Sequence, residues 1–483
     1  MTDVAEAVMQ ALNPRTGEPD YSFDPATPPE IAALAQRLRV GQPAWVELGI
    51  VGRAAAMRRW AEAIEAHAEE IGDAEENDTG RHRLSHEVPL MVAGAIRRWS
   101  DQAPGILERA RLQGTSSTAD TVTYDTDFDP YQLLGVISPW NHPFLLSTLD
   151  AIPALLAGCA VIVKPSEIAP RFVAPVMATV AEVPELATVF AYVLGGAETG
   201  GALVEEIDML CFTGSVPTGR KLAVRCAERF IPAFLELGGK DAAIVTAGAE
   251  VEAAAAAVLK GGVHNTGQIC FATERVYVDA AIHDEFVAEL TRQATALELT
   301  YPDAESGHIG PFILRRQADI VDGHIADALE RGATLECGGP SRELGGGRYM
   351  EATVLTGVDH TMAIMREETF GPVVPVMAYE TIAEGLDLAN DSEFGLSGAV
   401  IAGSPEEAAE VARGLDAGAI SLQDTSLTIN IMSDVEKTSY NHSGLGGSRM
   451  GPNALLRFFR RRALITRHGP VLGMAALGEQ GPS

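Results

Sequence analysis

Four short apolar runs, each stopped by Gly, Pro, Lys or Thr, constrain this chain more than any other feature. Residues 133–137 run out at Pro139 and residues 160–163 at Lys164-Pro165. Residues 190–194 end at Gly195-Gly196, and residues 209–212 at Thr213-Gly214. Helix-like stretches separate them. Strands apolar on both faces, alternating with helices, predict an α/β fold with a parallel sheet, because such strands must be covered on both sides. Ligands meet sheets of this kind beyond the carboxyl ends of the strands. A second series follows Gly238: apolar runs at 242–245 and 275–278, with helices near 250–260 and 283–296.

Other segments read more simply. Residues 1–30, rich in Pro, Asp and Thr, suggest an extended lead-in. Residues 30–72 and 86–111 place Met57, Trp60, Ala61 and Ile64 and similar side chains at helical spacing. Residues 113–124 mix Thr, Ser and Val as a hairpin or edge strand does. Residues 342–347 look like a loop. Residues 456–466, basic and apolar in an acidic chain, suggest an edge strand that meets a partner subunit. At 483 residues the chain exceeds one ordinary core, so two or three domains are expected.

A formal charge of −30 argues against nucleic acid as a partner, since the phosphate backbone would be repelled. The five cysteines, Cys159, Cys211, Cys226, Cys270 and Cys337, are widely spaced and form no CxxC. That pattern fits free thiols in a reducing, cytoplasmic setting, with no disulfide framework and no metal site. Residues 1–13 carry Asp3 and Glu6 and no basic stretch, so a secretory signal is not expected. No run of 18 residues is apolar without charges or breakers, so no membrane span is expected.

Chemistry concentrates at a few positions. Cys270 follows Asn265-Thr266-Gly267-Gln268, small and amide residues that leave room for a substrate. A lone cysteine is more often simply buried. Glu236, 34 positions earlier, closes an apolar run before Gly238-Gly239. It reads either as a strand-end carboxylate paired with Lys240 or exposed to water, or as a general base whose pKa burial raises toward neutrality. A thiol nucleophile and a water-activating carboxylate together make a two-step acyl-transfer device. Asn141, in Trp140-Asn141-His142-Pro143, is either a turn residue or, with the Cys270 N–H, an oxyanion donor. His142 reads as pocket lining. Gly214-Ser215 opens a helix after a strand, with Ser215 as N-cap, and its free N–H groups suit a pyrophosphate. Lys164 and Glu167 form a surface ion pair or, at a strand end, receive ribose hydroxyls, which would favour NAD over NADP. Glu368 and Phe370, in Glu367-Glu368-Thr369-Phe370-Gly371-Pro372, form a β-turn or flank the second ribose and the nicotinamide.

Taken together these motifs resemble the aldehyde dehydrogenase family, of the hydrolytic NAD(P)-dependent kind. The resemblance rests on Pro139-Trp140-Asn141, Val163-Lys164-Pro165-Ser166-Glu167, Phe212-Thr213-Gly214-Ser215, Glu236-Leu237-Gly238-Gly239-Lys240, Gly267-Gln268-Ile269-Cys270 and Glu368-Thr369-Phe370-Gly371-Pro372. It runs from Asn13 to about Ile465. It implies a thiohemiacetal and then a thioester on Cys270, released by water that Glu236 activates. Trp140, Lys164, Glu167, Ser215, Glu368 and Phe370 would contact the cofactor, and the Leu237 carbonyl its carboxamide. It also implies a Rossmann-like cofactor domain (1–111 and 135–238), an α/β catalytic domain (239–440), an oligomerisation hairpin (112–134 and 456–470) and a C-terminal tail (441–483). A homodimer or homotetramer follows from that hairpin.

The chain departs from the family at Gly158-Cys159, at residues 419–424, through the loop 425–437 that lines the substrate mouth in relatives, and in part at residues 443–449. Ile269, Phe271 and Phe144 are expected beside the substrate, with Leu427 and residues 429–432 at the mouth. They lean toward an aliphatic or aromatic aldehyde. The competing readings are a CoA-acylating dehydrogenase, which commonly lacks the carboxylate at the Glu236 position, a non-redox thiol esterase, and a catalytically silent protein.

Overall fold

A computed structural model describes residues 8–471, 473 and 474. The four apolar runs become the strands Leu133–Ile137, Ala160–Lys164, Phe190–Tyr192 and Met209–Thr213. The first, second and fourth are buried at every position. They lie parallel in a six-stranded sheet that also takes Ala233–Glu236. Its far edge is Gly444–Leu445, antiparallel, with Gly444 opposite Glu236. The parallel strands end on one side, so Ile137, Lys164, Thr213 and Glu236 open onto a common rim. Helices built at 3.6-residue spacing cover this sheet. Gly49–Ala66 buries Met57, Trp60, Ala61 and Ile64, the four positions whose spacing marked a helix.

The chain leaves this sheet at Glu236 and enters a second one at Asp241. That sheet has seven strands, in the order Thr334–Cys337, Thr353–Thr356, Val373–Tyr379, Thr273–Asp279, Asp241–Val245, Ser397–Ile401 and Ala419–Leu422. All pairs are parallel except the first. Its two faces carry separate buried clusters, one around Ile244, Tyr277 and Val321, the other around Val245, Val276 and Phe286. Only the four-residue link 237–240 joins the two sheets at this point. Whatever sits beside that link is therefore held from both sides.

A three-stranded antiparallel ribbon completes the fold. Val122–Pro130 lies between Gln113–Thr115 and Phe459–Arg467. The basic strand at the carboxyl end thus pairs along one edge within its own chain, and among the described residues nothing pairs with its other edge. Three expectations change. Residues 9–23 are a hairpin, Met9–Leu12 with Pro19–Phe23, and not merely extended. Residues 342–347 are no simple loop: Arg342–Leu344 pairs with Gly347–Tyr349, and Gly345 and Gly346 supply the φ of 59° and 93° that the turn requires. Residues 441–458, set apart as part of a tail, fold back onto the six-stranded sheet. Gly444–Leu445 extends that sheet and Leu455 and Phe458 are buried in its core, because the apolar side chains there need cover. Residues 472 and 475–483 of that tail lie outside the described residues.

Candidate active site

Cys270 stands at the end of a strained loop. His264–Gly267 turns with Asn265, Thr266 and Gly267 all at positive φ, between 57° and 69°. Two consecutive non-glycine residues in that region need support from their surroundings. The support is visible. Asn265 Nδ2 donates to the Asn141 backbone carbonyl (3.2 Å) and to the Gln268 carbonyl (3.1 Å), and Thr266 Oγ1 donates to the Gly310 carbonyl (3.1 Å). Gly267 lies against Gly371, where an added Cβ would sit 2.2 Å from the Gly371 oxygen.

Asn141 is tied to the same loop. Its side-chain Nδ2 donates to the Gln268 carbonyl at 2.9 Å, and its own carbonyl accepts from Arg81 Nη2 at 3.0 Å. The amide is buried and fixed two residues from the nucleophile candidate. Glu236 comes from the other sheet. Its Oε1 accepts from Lys437 Nζ at 2.8 Å and from Ser439 Oγ at 3.4 Å. Cys270, Glu236 and Asn141 line a single cavity of about 470 Å³. His142 and Ile269 line it as well, as does Phe271. Phe144 does not. It is fully buried and packs on Phe172, ring centroids 5.8 Å apart, because the helix Pro143–Leu149 turns it inward and offers Leu145, Leu146 and Leu149 to the cavity instead.

The electrostatics revise the reading of Glu236. Burial pushes its pKa up, but Lys437 and Arg449 outweigh burial and hold it below the ordinary carboxylate value. Its partner is not Lys240, which makes a buried pair with Glu274 at 2.8 Å. Glu236 is therefore ionised, not poised near neutrality. Cys270 is pushed up to about 12, first by burial and then by the Glu236 charge, with Lys437 opposing. It rests as a thiol. Burial, and then the charge of Arg81, hold His142 well below the ordinary histidine value, and its Nε2 lies 3.1 Å from Asn265 Nδ2. A neutral imidazole with that bond suits lining and not base catalysis.

The expected cofactor residues come from both sheets: Trp140, Lys164, Glu167, Gly214, Ser215 and Leu237 end or follow strands of the six-stranded sheet, and Glu368 and Phe370 precede the strand Val373–Tyr379 of the other. Lys164 is buried, with Nζ 3.1 Å from Glu167 Oε2. Ser215 caps the 13-residue helix Val216–Glu228, its hydroxyl turned to Thr218 Oγ1 and not back onto the helix N–H groups. Gly214 has no room for a side chain, since a Cβ would meet the Phe212 ring at 2.6 Å. A glycine cradle before a helix whose first N–H groups lack a side-chain cap fits a pyrophosphate. Trp140 and Phe370 meet edge to face at 5.5 Å, Phe370 at a φ of 56°. Glu368 Oε1 accepts from the Gly239 N–H at 3.0 Å, and burial, with Glu274 adding, pushes the acid up to about 8. The Leu237 N–H donates to the Ser443 carbonyl at 2.9 Å. The chemistry of these residues fits a dinucleotide.

Several side chains that hold the site escaped the sequence reading. Lys437 lies in the departing loop, with no motif around it. Arg449 and Arg457 clasp Asp150, Arg449 Nη2 at 2.5 Å. Glu274, four residues after Cys270, also receives the Thr369 and Phe370 N–H groups at 2.8 Å each, so it ties the nucleophile strand to the Phe370 loop. A buried Glu in a strand was the available signal. Away from the cavity, Glu76, His82 and His86 bring ligand-type atoms within 4.8 Å of one another, hydrogen-bonded as Glu–His pairs.

Comparison with known proteins agrees with this geometry. A profile described as "Aldehyde dehydrogenase family" matches residues 2–464. A provisionally named NADP(+) succinate-semialdehyde dehydrogenase of Mycolicibacterium smegmatis is 36% identical over 95% of this chain and 90% of its own. A provisionally assigned aldehyde dehydrogenase of Anabaena variabilis superposes with a TM-score of 0.94 at 47% identity, covering 96% of this chain and 99% of that one. The betaine aldehyde dehydrogenase of Staphylococcus aureus, solved with NAD+, superposes at 0.89 with 27% identity, covering 98% and 94%. This chain belongs to the aldehyde dehydrogenase family, whose members oxidise an aldehyde to a carboxylic acid.

Proposed function

We propose that this enzyme oxidises uncharged, apolar aldehydes with NAD, Cys270 serving as nucleophile and Glu236 as the base that activates water. The observation that carries this reading is the shared cavity of Cys270, Asn141 and Glu236 beside the link between the two sheets. Sγ of Cys270 adds to the aldehyde carbon and, since it rests as a thiol, passes its proton to water that enters the cavity. Asn141 Nδ2 and the Cys270 N–H stabilise the oxygen that becomes negative. A bound NAD(P) supplies the acceptor for the hydride that leaves that carbon, and the carbon becomes a thioester. Glu236 then takes a proton from water as the water oxygen attacks the thioester, and Sγ departs with the acid released. The carboxylate on the cavity wall favours water over CoA as the second nucleophile.

The substrate class follows from the lining. Val88, Met91, Leu145, Leu149, Leu427 and Ile429 form the apolar wall. The cations that reach the cavity are engaged: Arg83 with Glu87 at 2.7 Å, Lys260 with Asp424 at 2.5 Å, Lys437 with Glu236 and Arg449 with Asp150. Among the described residues no uncommitted cation on the wall awaits a substrate carboxylate, which speaks against a semialdehyde acid of the kind named for the Mycolicibacterium relative. Glu167 at the strand end favours NAD, although that relative is named for NADP(+). We also infer a homo-oligomer through the ribbon, supported by its exposed Tyr124, Leu464 and Ile465, and a cytoplasmic setting, supported by five free cysteines. No helix is long and apolar enough to cross a membrane among the described residues.

The test is reduced-dinucleotide formation over a series of aldehydes. Neutral apolar aldehydes should exceed carboxylate-bearing ones of similar length by about tenfold or more in kcat/KM. Cys270→Ala should lose the reaction and keep dinucleotide binding. A preference for the anionic aldehydes would overturn the substrate class, and turnover by Cys270→Ala would overturn the mechanism.

A further inference from the structure

We propose that Lys437 is a positioning residue for thioester hydrolysis: its ammonium clamps one oxygen of Glu236 and keeps the other free, and ionised, for water. This rests on Glu236 being the water-activating base. The clamp is one-sided. Lys437 Nζ (2.8 Å) and Ser439 Oγ (3.4 Å) both bind Oε1, and Oε2 has no hydrogen-bond partner among the described residues. Lys437 Nζ also donates to Ser439 Oγ at 3.3 Å, which closes a small triangle around Oε1. Side-chain exposure is 7% for Lys437 and 14% for Glu236, so water screens the pair little.

The lysine is built into the fold and is not a surface side chain that has drifted inward. Its backbone N–H donates to Ser448 Oγ at 3.1 Å, and the preceding Glu436 accepts the Asn453 N–H at 3.0 Å. A few residues on, Gly444 pairs with Glu236 in the sheet. The segment that delivers the cation therefore also pairs with the strand that carries the carboxylate. Both are held in one register.

The need for a cation is visible elsewhere in this chain. Glu75, buried, and Glu368, half-buried, have no ammonium or guanidinium at hydrogen-bond distance among the described residues, and desolvation pushes each up to about 8. A carboxyl that is neutral near pH 7 cannot take a proton from water. Glu236, half-buried, stays ionised. The charged groups acting on it are Lys437, Arg449 and Asp150. Asp150 is itself neutralised by Arg449 and Arg457. Across the cavity stands Cys270, which feels Glu236, Lys437, Glu368 and Asp241. Lys437 is the one cation that touches Glu236 directly among the described residues. An ammonium contact lowers the carboxylate's proton affinity, but the alternative in a desolvated site is a protonated acid with no base function.

The experiment measures thioester decay directly. Full-length enzyme with NAD and one good aldehyde is mixed rapidly, quenched at intervals, and assayed for acyl-Cys270 by mass spectrometry across a range of pH. Lys437→Met should slow decay at neutral pH by about tenfold or more, with hydride transfer slowed less. The midpoint at which decay rises with pH should move upward. Lys437→Arg should restore most of the rate and the midpoint. Lys437→Gln, closer in polarity, reads the same effect if the Met variant is poorly folded. Wild-type decay and midpoint in both Lys437→Met and Lys437→Gln would overturn the proposal. Glu236→Gln runs alongside. Slow decay in Glu236→Gln with normal decay in the Lys437 variants sinks only the role of Lys437. Normal decay in Glu236→Gln removes the base assignment itself.

Discussion

Glu167 sits half-exposed where the strand Ala160–Lys164 ends, with its carboxylate 3.1 Å from the buried Lys164 ammonium. Lys164 fixes the direction of that carboxylate, and its negative charge would repel a 2′-phosphate at the same place. Replacing it with alanine is expected to lower the NAD-over-NADP ratio of kcat/KM by about tenfold or more, chiefly through a lower KM for NADP. Steady-state rates with both dinucleotides check this, and an unchanged ratio would remove Glu167 from the discrimination. Residue type and position singled out Glu167, Cys270 and Asn141 in the sequence as candidates, since each lies inside a short motif. The charge state of Glu236 was not legible there. Burial alone predicts a raised pKa, and the cation that reverses the sign lies 201 positions away.

At the scale of elements, the nucleophile loop and the loop 367–372 hold each other. Gly267 and Gly371 touch backbone to backbone, and Glu274 links the strand after Cys270 to the Thr369 and Phe370 N–H groups. Gly267→Ala meets two penalties, a φ of 69° and a Cβ 2.2 Å from the Gly371 oxygen. The expected loss of stability is about 2 kcal/mol or more. A larger loss is expected in kcat, because Cys270 and Phe370 would shift together. Thermal unfolding and steady-state kinetics of that variant decide it: wild-type values in both would show that the two loops are not coupled. The strands themselves were readable from short apolar runs, but their ends less so. The 190–194 run yields only Phe190–Tyr192, and the 342–347 hairpin was hidden by glycines that also suit a loop.

For the whole molecule, burial of acids shapes the pH dependence of stability. Glu75 is raised to about 8, first by burial, with Arg81 opposing. A carboxyl with a raised pKa binds more protons folded than unfolded between its ordinary value, near 4.5, and about 8. Stability from this group is therefore complete at the acid end of that window and falls as pH rises through it. Glu75→Gln should flatten the decline. Chemical denaturation of both proteins at pH 5 and pH 8 measures this, and a decline as steep in Glu75→Gln as in the wild type would show that Glu75 is ionised in the fold.

The sequence alone determined the α/β class, the rim on which ligands meet the first sheet, and the identity of the thiol, the carboxylate and the amide that share the cavity. These are local properties: apolar runs of strand length, turn residues that stop them, and reactive groups placed just after. Tertiary structure alone decided that Phe144 faces the core, that residues 441–458 return to the first sheet, and that Lys437 clasps Glu236. Those outcomes depend on which distant surfaces come together. Burial and charge act through space, and a linear pattern carries no distance.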